Sequence, residues 1–267
     1  MTKIGVTLRF RAGTQLPAFV GNTIRGAFGR ALFRDCCAYD VSRCDVCGEA
    51  ADCAYGAMFK AQSNESIPNP YIISAPYPSK RYYAAGEELD FGITLCGRAC
   101  FFEETVLRAV NGMCAGKLQD ALVTGAGRVY SREWSDLGAE SIAPCDVLTV
   151  RFLSPVEMRS FGKPVTEIGF GLMIDGLFGR IAGIIDNYTD NVFVLPYHLL
   201  ARKPFVQADN RLRRVRFSTS SQPIEGVIGT VRYFGELTQY LPYIDLGTQL
   251  HIGKKTTRGC GEYDFLI

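Results

Sequence analysis

The residues best suited to chemistry lie near the C-terminus, in the run Gly247-Thr248-Gln249-Leu250-His251-Ile252-Gly253-Lys254-Lys255-Thr256-Thr257-Arg258-Gly259-Cys260-Gly261. Glycine lets backbone N–H groups come close to a phosphate, and the cations add charge. The run is not a P-loop. Five residues separate Gly247 from Gly253, and Lys254 is followed by Lys255 where Ser or Thr is required. That spacing argues against a nucleotide triphosphatase. The composition suits a loop over 247–261 that grips a nucleic-acid backbone through Gly253, Lys254, Lys255, Arg258, Gly259 and Gly261. A long hairpin loop with solvated lysines is the plain alternative. His251 is the histidine beside this loop, and an imidazole near its ordinary pKa is a general acid or base for RNA cleavage. His198, flanked by apolar residues, reads as structural.

Two further groups carry chemistry. Between Tyr197 and Phe217, the cations Arg202, Lys203, Arg211, Arg213, Arg214 and Arg216 face a single acid, Asp209. Such a stretch binds phosphates, with an affinity that falls steeply as salt rises. Tyr188, Tyr197, Tyr233, Tyr240 and Tyr243 offer rings for stacking, although packing is the commoner use of tyrosine. The other group is a set of thiols: Cys36, Cys37, Cys44, Cys47 and Cys53. Cys44-Asp45-Val46-Cys47 is one C-x-x-C pair, Cys53 follows, and Cys36 or Cys37 supplies a fourth sulfur. Four thiolates suit a tetrahedral structural zinc, here Cys36, Cys44, Cys47 and Cys53, that substitutes for a core in an apolar-poor insertion at 35–60. An iron–sulfur cluster uses similar sets, and free thiols are the third possibility.

These residues need a scaffold, and the 267-residue chain has the material for one. Apolar residues make up 47% and charged residues 21%, the balance of a globular protein. The net charge is only +2, so any nucleic-acid surface must come from the local placement of charge. Ten cysteines without a secretory leader point to a reducing, cytoplasmic setting. No apolar run is long enough to span a membrane.

Hydrophobic periodicity places the elements. Thr2 to Phe10 alternates as a half-buried strand, with Ile4, Val6, Leu8 and Phe10 inward. A helix follows from Asn22, a candidate N-cap, to about Arg34, with Ile24, Ala27, Phe28, Ala31 and Leu32 on one stripe. Tyr55 to Lys60 reads as one short helical turn. Pro68 to Pro78 reads as extended, turn-rich chain. A strand at Gly86–Leu95, a helix around Phe102–Met113 and a strand after Gly125 complete the half. The order then recurs: a strand at 146–153, a helix at 168–188, strands at 212–217 and 227–234, a helix at 235–246 interrupted by Pro242, and a strand at 262–266. Each half therefore reads strand–helix–strand–strand–helix–strand, the ferredoxin-like split βαβ order. The expectation is an α+β protein of two tandem ferredoxin-like (RRM-like) domains, 1–144 and 145–267, with the cysteine-rich insertion in the first. A single α+β domain is the alternative.

With those residues in place, the chain resembles the CRISPR-associated precursor-RNA processing endoribonucleases of the RAMP superfamily. The resemblance runs through Gly21-Asn22-Thr23-Ile24-Arg25-Gly26-Ala27-Phe28-Gly29, then Cys53-Ala54-Tyr55 with Phe59, and Pro70-Tyr71-Ile72-Ile73. It continues through Gly86-Glu87 to Leu95-Cys96-Gly97, and ends in Leu250 to Tyr263, the glycine-rich loop of the family. It implies two ferredoxin-like folds and binding of a CRISPR repeat RNA for antiviral defence. It also implies one metal-independent cut, in which a ribose 2′-OH attacks the adjacent phosphate and leaves a 2′,3′-cyclic phosphate and a 5′-OH. On that reading His251 and Lys254 are catalytic, and Lys254, Lys255 and Arg258 hold phosphates. Many members of the family place a catalytic histidine in or near the first helix, whereas this chain has no histidine before His198. A non-catalytic RNA-binding RAMP subunit, working with other CRISPR effector subunits, is the alternative. A zinc-stabilised protein-interaction module is a third.

Overall fold

A computed structural model describes residues 1–37, 39, 44, 46–50, 52–60, 67–133, 144–202, 206–218 and 223–267. The chain groups into two compact units, Met1–Arg132 with Ile184–Asp190, and Glu133–Gly183 with Asn191–Ile267. The domain boundary expected near Ala143 to Cys145 falls partly outside the described residues, as does Lys203.

The first unit runs β1 (Thr2–Phe10), β2 (Thr14–Gln15), α1 (Gly21–Cys36), β3 (Tyr71–Ser74), β4 (Tyr82–Tyr83), β5 (Glu88–Leu95), α2 (Glu103–Asn111) and β6 (Ala121–Ser131). Its main sheet has the antiparallel order β3-β5-β1-β6, and β2 pairs with β4 as a separate ribbon. This is the ferredoxin-like arrangement. Ile4, Val6, Leu8 and Phe10 of β1 are buried, as is the α1 stripe of Ile24, Ala27, Phe28, Ala31 and Leu32. Asn22 does not cap α1. The amides of Thr23 and Ile24 both donate to the Val20 carbonyl, which puts Asn22 inside the first turn. β3 lies in the stretch that the sequence marks as extended, turn-rich chain. Its four residues are all buried, so no alternation marks it.

Cys53 leads into the turn Gly56–Lys60, a single π-helical turn. There Phe59 stacks between Tyr55 (5.3 Å) and Tyr71 (5.0 Å). The far end of the insertion is thereby anchored to the core. Gly29 makes room for it, because a Cβ on Gly29 would lie 2.7 Å from the Phe59 ring.

The second unit repeats the plan: β7 (Val147–Val156), β8 (Arg159–Ser160), β9 (Lys163–Pro164), α3 (Phe170–Tyr188), α4 (Tyr197–Arg202), β10 (Gln207–Phe217), β11 (Ile224–Phe234), α5 (Leu241–Leu250) and β12 (Tyr263–Leu266). α3 belongs to this unit up to Gly183. The sheet order is β10-β11-β7-β12, again ferredoxin-like, with β8–β9 as a small extra hairpin. The core gathers Phe170, Ile174, Leu177, Phe178 and Ile181 of α3, Leu148, Val150 and Phe152 of β7, and Ile244 and Leu250 of α5. Pro242 does not interrupt α5. It occupies the first turn, where its fixed φ suits a helix start and its missing N–H costs nothing. α5 therefore extends to Leu250, and Gly247 is helical, so the expected loop over 247–261 begins only at His251. Among the described residues, no helix is long and apolar enough to cross a membrane.

Candidate nucleic-acid interface

From His251 to Gly261 the chain folds back on itself through repeated left-handed steps. His251 (φ 56°), Gly253 (77°), Lys255 (62°), Gly259 (86°) and Gly261 (76°) all lie at positive φ. Glycine takes such angles freely, whereas His251 and Lys255 hold them at a cost. The loop is held shut by backbone hydrogen bonds within itself and to the end of β7. Ile252 donates to Gly261 O, Lys254 to Glu157 O, Gly259 to Thr256 O, Cys260 to Lys255 O and Gly261 to Pro155 O. A Cβ on Gly261 would sit 1.8 Å from the Ile252 carbonyl oxygen, so this position requires glycine.

This geometry corrects part of the sequence reading. Gly259 and Gly261 are buried, and their amides donate within the chain rather than facing a phosphate. His251 is 0% exposed, with Nδ1 3.1 Å from the Cys260 carbonyl oxygen, so its ring does not reach the surface where a substrate would lie. The Cys260 thiol is buried beside it and is pushed up to about 12 by burial. Lys255 turns inward: its Nζ is 2.5 Å from Glu157 Oε2 and 2.9 Å from Pro223 O, with the side chain only 17% exposed. Lys254 is exposed, Gly253 and Arg258 are half-buried, and Lys254 makes no ion pair among the described residues.

Sequence reasoning missed Glu157, which organises this end of the unit. It lies just past β7, its side chain is 7% exposed, and it takes Lys255 on one oxygen and Arg159 (3.5 Å) on the other. From α3, Arg180 donates to Gly253 O at 2.8 Å. Lys255 therefore ties the loop to Glu157 at the root of hairpin β8–β9 and to Pro223 at the entry to β11. A lone glutamate after an apolar strand gives no sequence signal for such a role.

The arginines of β10 lie on the edge strand of the second sheet, and Arg211, Arg213, Arg214 and Arg216 are all exposed. Arg216 pairs with Glu225 at 2.9 Å and Arg211 with Asp209 at 3.4 Å. Arg213 and Arg214 make no ion pair among the described residues. Strand alternation sends these two to opposite faces of the edge.

His198 is exposed on α4 rather than structural. It lies at the other end of the second sheet: its neighbour Leu199 accepts from Tyr240 Oη, and Leu237 donates to Cys145 O ahead of β7. Of the tyrosines, Tyr233 and Tyr240 are buried and Tyr243 is half-buried against Phe178. Tyr188 donates to Pro68 O, which leaves Tyr197 as the exposed ring of the set. In α1, Arg25 lies over the Phe59 ring, 5.2 Å from its centroid.

Among the thiols, Cys36 Sγ and Cys53 Sγ are 3.7 Å apart. Burial, with Cys53 alongside, pushes Cys36 up to about 12. Among the described residues, no group of three or more His, Cys, Asp or Glu converges as a metal site.

Comparison with known proteins covers both units. Residues 1–129 match a family model described as an N-terminal domain, and residues 150–263 match CRISPR-associated endoribonuclease Cas6. An uncharacterized protein of Archaeoglobus fulgidus is 32% identical over 76 residues, a stretch spanning 27% of this chain and only 26% of that protein. The fold is similar to Thermus thermophilus Cas6 (TM-score 0.64, 14% identity, 99% of this chain and 98% of that one). It is also similar to a Cas6 product complex (0.63, 17%, 99% of each chain) and to a RAMP protein binding different RNA substrates (0.57, 12%, all of each chain). The chain thus has the two-unit ferredoxin-like fold of these structures, and its residues 150–263 match the Cas6 endoribonuclease family model.

Proposed function

We propose that the chain binds CRISPR repeat RNA and cuts it once by metal-independent transesterification. The observation that carries the reading is the convergence of three cationic segments at one end of the second unit: the loop with Lys254, the root of hairpin β8–β9 with Arg159, and the β10 edge ending at the Arg216–Glu225 pair. The Cas6 match over residues 150–263 supports it. In the proposed step the ribose 2′-oxygen attacks phosphorus, its proton passes to solvent water, and the bond to the 5′ oxygen breaks. Lys254 stabilises the developing charge and protonates the departing oxygen. Buried His251 holds the loop in its left-handed path and is a positioning residue. Arg213 and Arg214 contact phosphates away from the cut.

One observation favours a second reading, a non-catalytic RNA-binding subunit of a CRISPR effector complex: the imidazole beside the loop is enclosed. A single experiment decides between the two. The purified protein is incubated with the CRISPR repeat RNA of the source genome in EDTA. One defined cut supports the nuclease, whereas binding without cleavage supports the subunit.

We also propose a structural zinc held by Cys36, Cys44, Cys47 and Cys53. Two sulfurs bound tetrahedrally at about 2.3 Å lie about 3.8 Å apart, close to the Cys36–Cys53 separation of 3.7 Å. Metal analysis of the protein as purified should find one zinc, and Cys44→Ser should lose it. Retention by that variant removes Cys44 from the set.

A further inference from the structure

Phe161 is completely open to solvent, at 103% of its reference exposure. It sits at the tip of hairpin β8–β9, where Ser160 faces Lys163. Its φ is 48°, and that of Gly162 is 77°. Two successive residues at positive φ is the pattern of a type I′ turn, which Asn-Gly fills with little strain. A bulky L-residue in that conformation costs about 1 kcal/mol or more. The turn thus holds a large apolar ring that the core does not use and that the backbone disfavours. Strain kept in this way belongs with function more than with folding.

The surroundings identify the occupant. Arg159, at the hairpin root, reaches Gly162 O at 3.4 Å and Glu157 at 3.5 Å. Glu157 in turn holds Lys255, so the hairpin is fastened to the glycine-rich loop. Lys163 and Lys254 are exposed and make no ion pair among the described residues. An open phenyl ring on a hairpin that carries Lys163 and is fastened through Glu157 to the loop of Lys254 suits single-stranded nucleic acid, whose bases stack on aromatic side chains while the backbone follows the charge. Bases inside a duplex already stack on one another and present no free face.

We propose that Phe161 is a stacking platform for one unpaired base of the RNA, whose flanking phosphates lie along Lys163 and Lys254. This rests on the reading of this end of the second unit as an RNA surface. The test uses the repeat RNA with 2-aminopurine placed at each unpaired position in turn. The wild type should quench the fluorescence at one position, and Phe161→Ala should abolish that quenching. The same variant should weaken binding about tenfold, within the range for loss of one stacked base, with no change in the salt slope because no charge is removed. Phe161→Trp should restore both signals. Phe161→Asn should raise the melting temperature while still losing the quenching, since asparagine relieves the turn. If Phe161→Ala binds and quenches as the wild type does, the platform is refuted even though RNA binding stands; Phe161 then belongs to a protein contact. If the wild type binds no repeat RNA, the functional reading fails first and the platform with it.

Discussion

His251 shows how burial decides between chemistry and architecture for one residue type. An imidazole beside a glycine-rich loop has the composition of a ribonuclease site, yet Leu250 and Ile252 on either side of it are also fully buried. Those two apolar neighbours were the signal available in the sequence, and a glycine-rich reading passes over them. His251→Ala should therefore destabilise the protein by about 2–3 kcal/mol through the cavity and the orphaned Cys260 carbonyl. Thermal unfolding checks this; an unchanged melting temperature with slower cleavage would return the ring to chemistry. Lys254→Ala should do the reverse, leaving stability intact while weakening RNA binding and lowering the salt slope by about 1. The Cys260 thiol adds a pH dependence. Its folded pKa, about 12, exceeds the unfolded value of 9.0, so its contribution is complete below about pH 9 and is lost as pH rises toward 12. Denaturant unfolding across pH 8–11 should show a steeper alkaline decline in the wild type than in Cys260→Ala.

Between elements, the contacts that matter join segments distant in sequence, and these were the least legible. The strands and helices themselves could be read, because β1, β5, α1 and α3 each show a clean period. Short or wholly buried elements gave no periodic signal: β3, buried at every residue, the two-residue strands of the β2–β4 ribbon and hairpin β8–β9, and the six-residue α4. Glu157 is the clearest case. Its partners Arg159 and Lys255 lie 2 and 98 residues away, and only the folded chain shows that a carboxylate fastens the loop to the hairpin. Glu157→Gln should leave Lys255 without its charge partner in a largely enclosed place and cost about 3 kcal/mol, measured as a shift in the denaturation midpoint. On the β10 edge, Arg213→Ala with Arg214→Ala should reduce the salt slope of RNA binding by about 2. Equal slopes would place the RNA elsewhere.

At the scale of the molecule, the repeated order of six elements indicates two ferredoxin-like folds, and the structure has two four-stranded antiparallel sheets with the same relative strand order. That much is legible because the order of strands and helices constrains how a split βαβ unit can close. How charge collects at one end of the second unit was not legible, since Lys254, Arg159 and Arg216 are scattered along the chain. The central claim, transesterification of repeat RNA, is tested most directly by a repeat RNA carrying a single 2′-deoxy nucleotide at the cut position, in EDTA. The account predicts that the unmodified RNA yields a 2′,3′-cyclic phosphate and a 5′-OH, and that the deoxy RNA binds equally well but stays whole. Cleavage of the deoxy RNA at the same position and rate would contradict it.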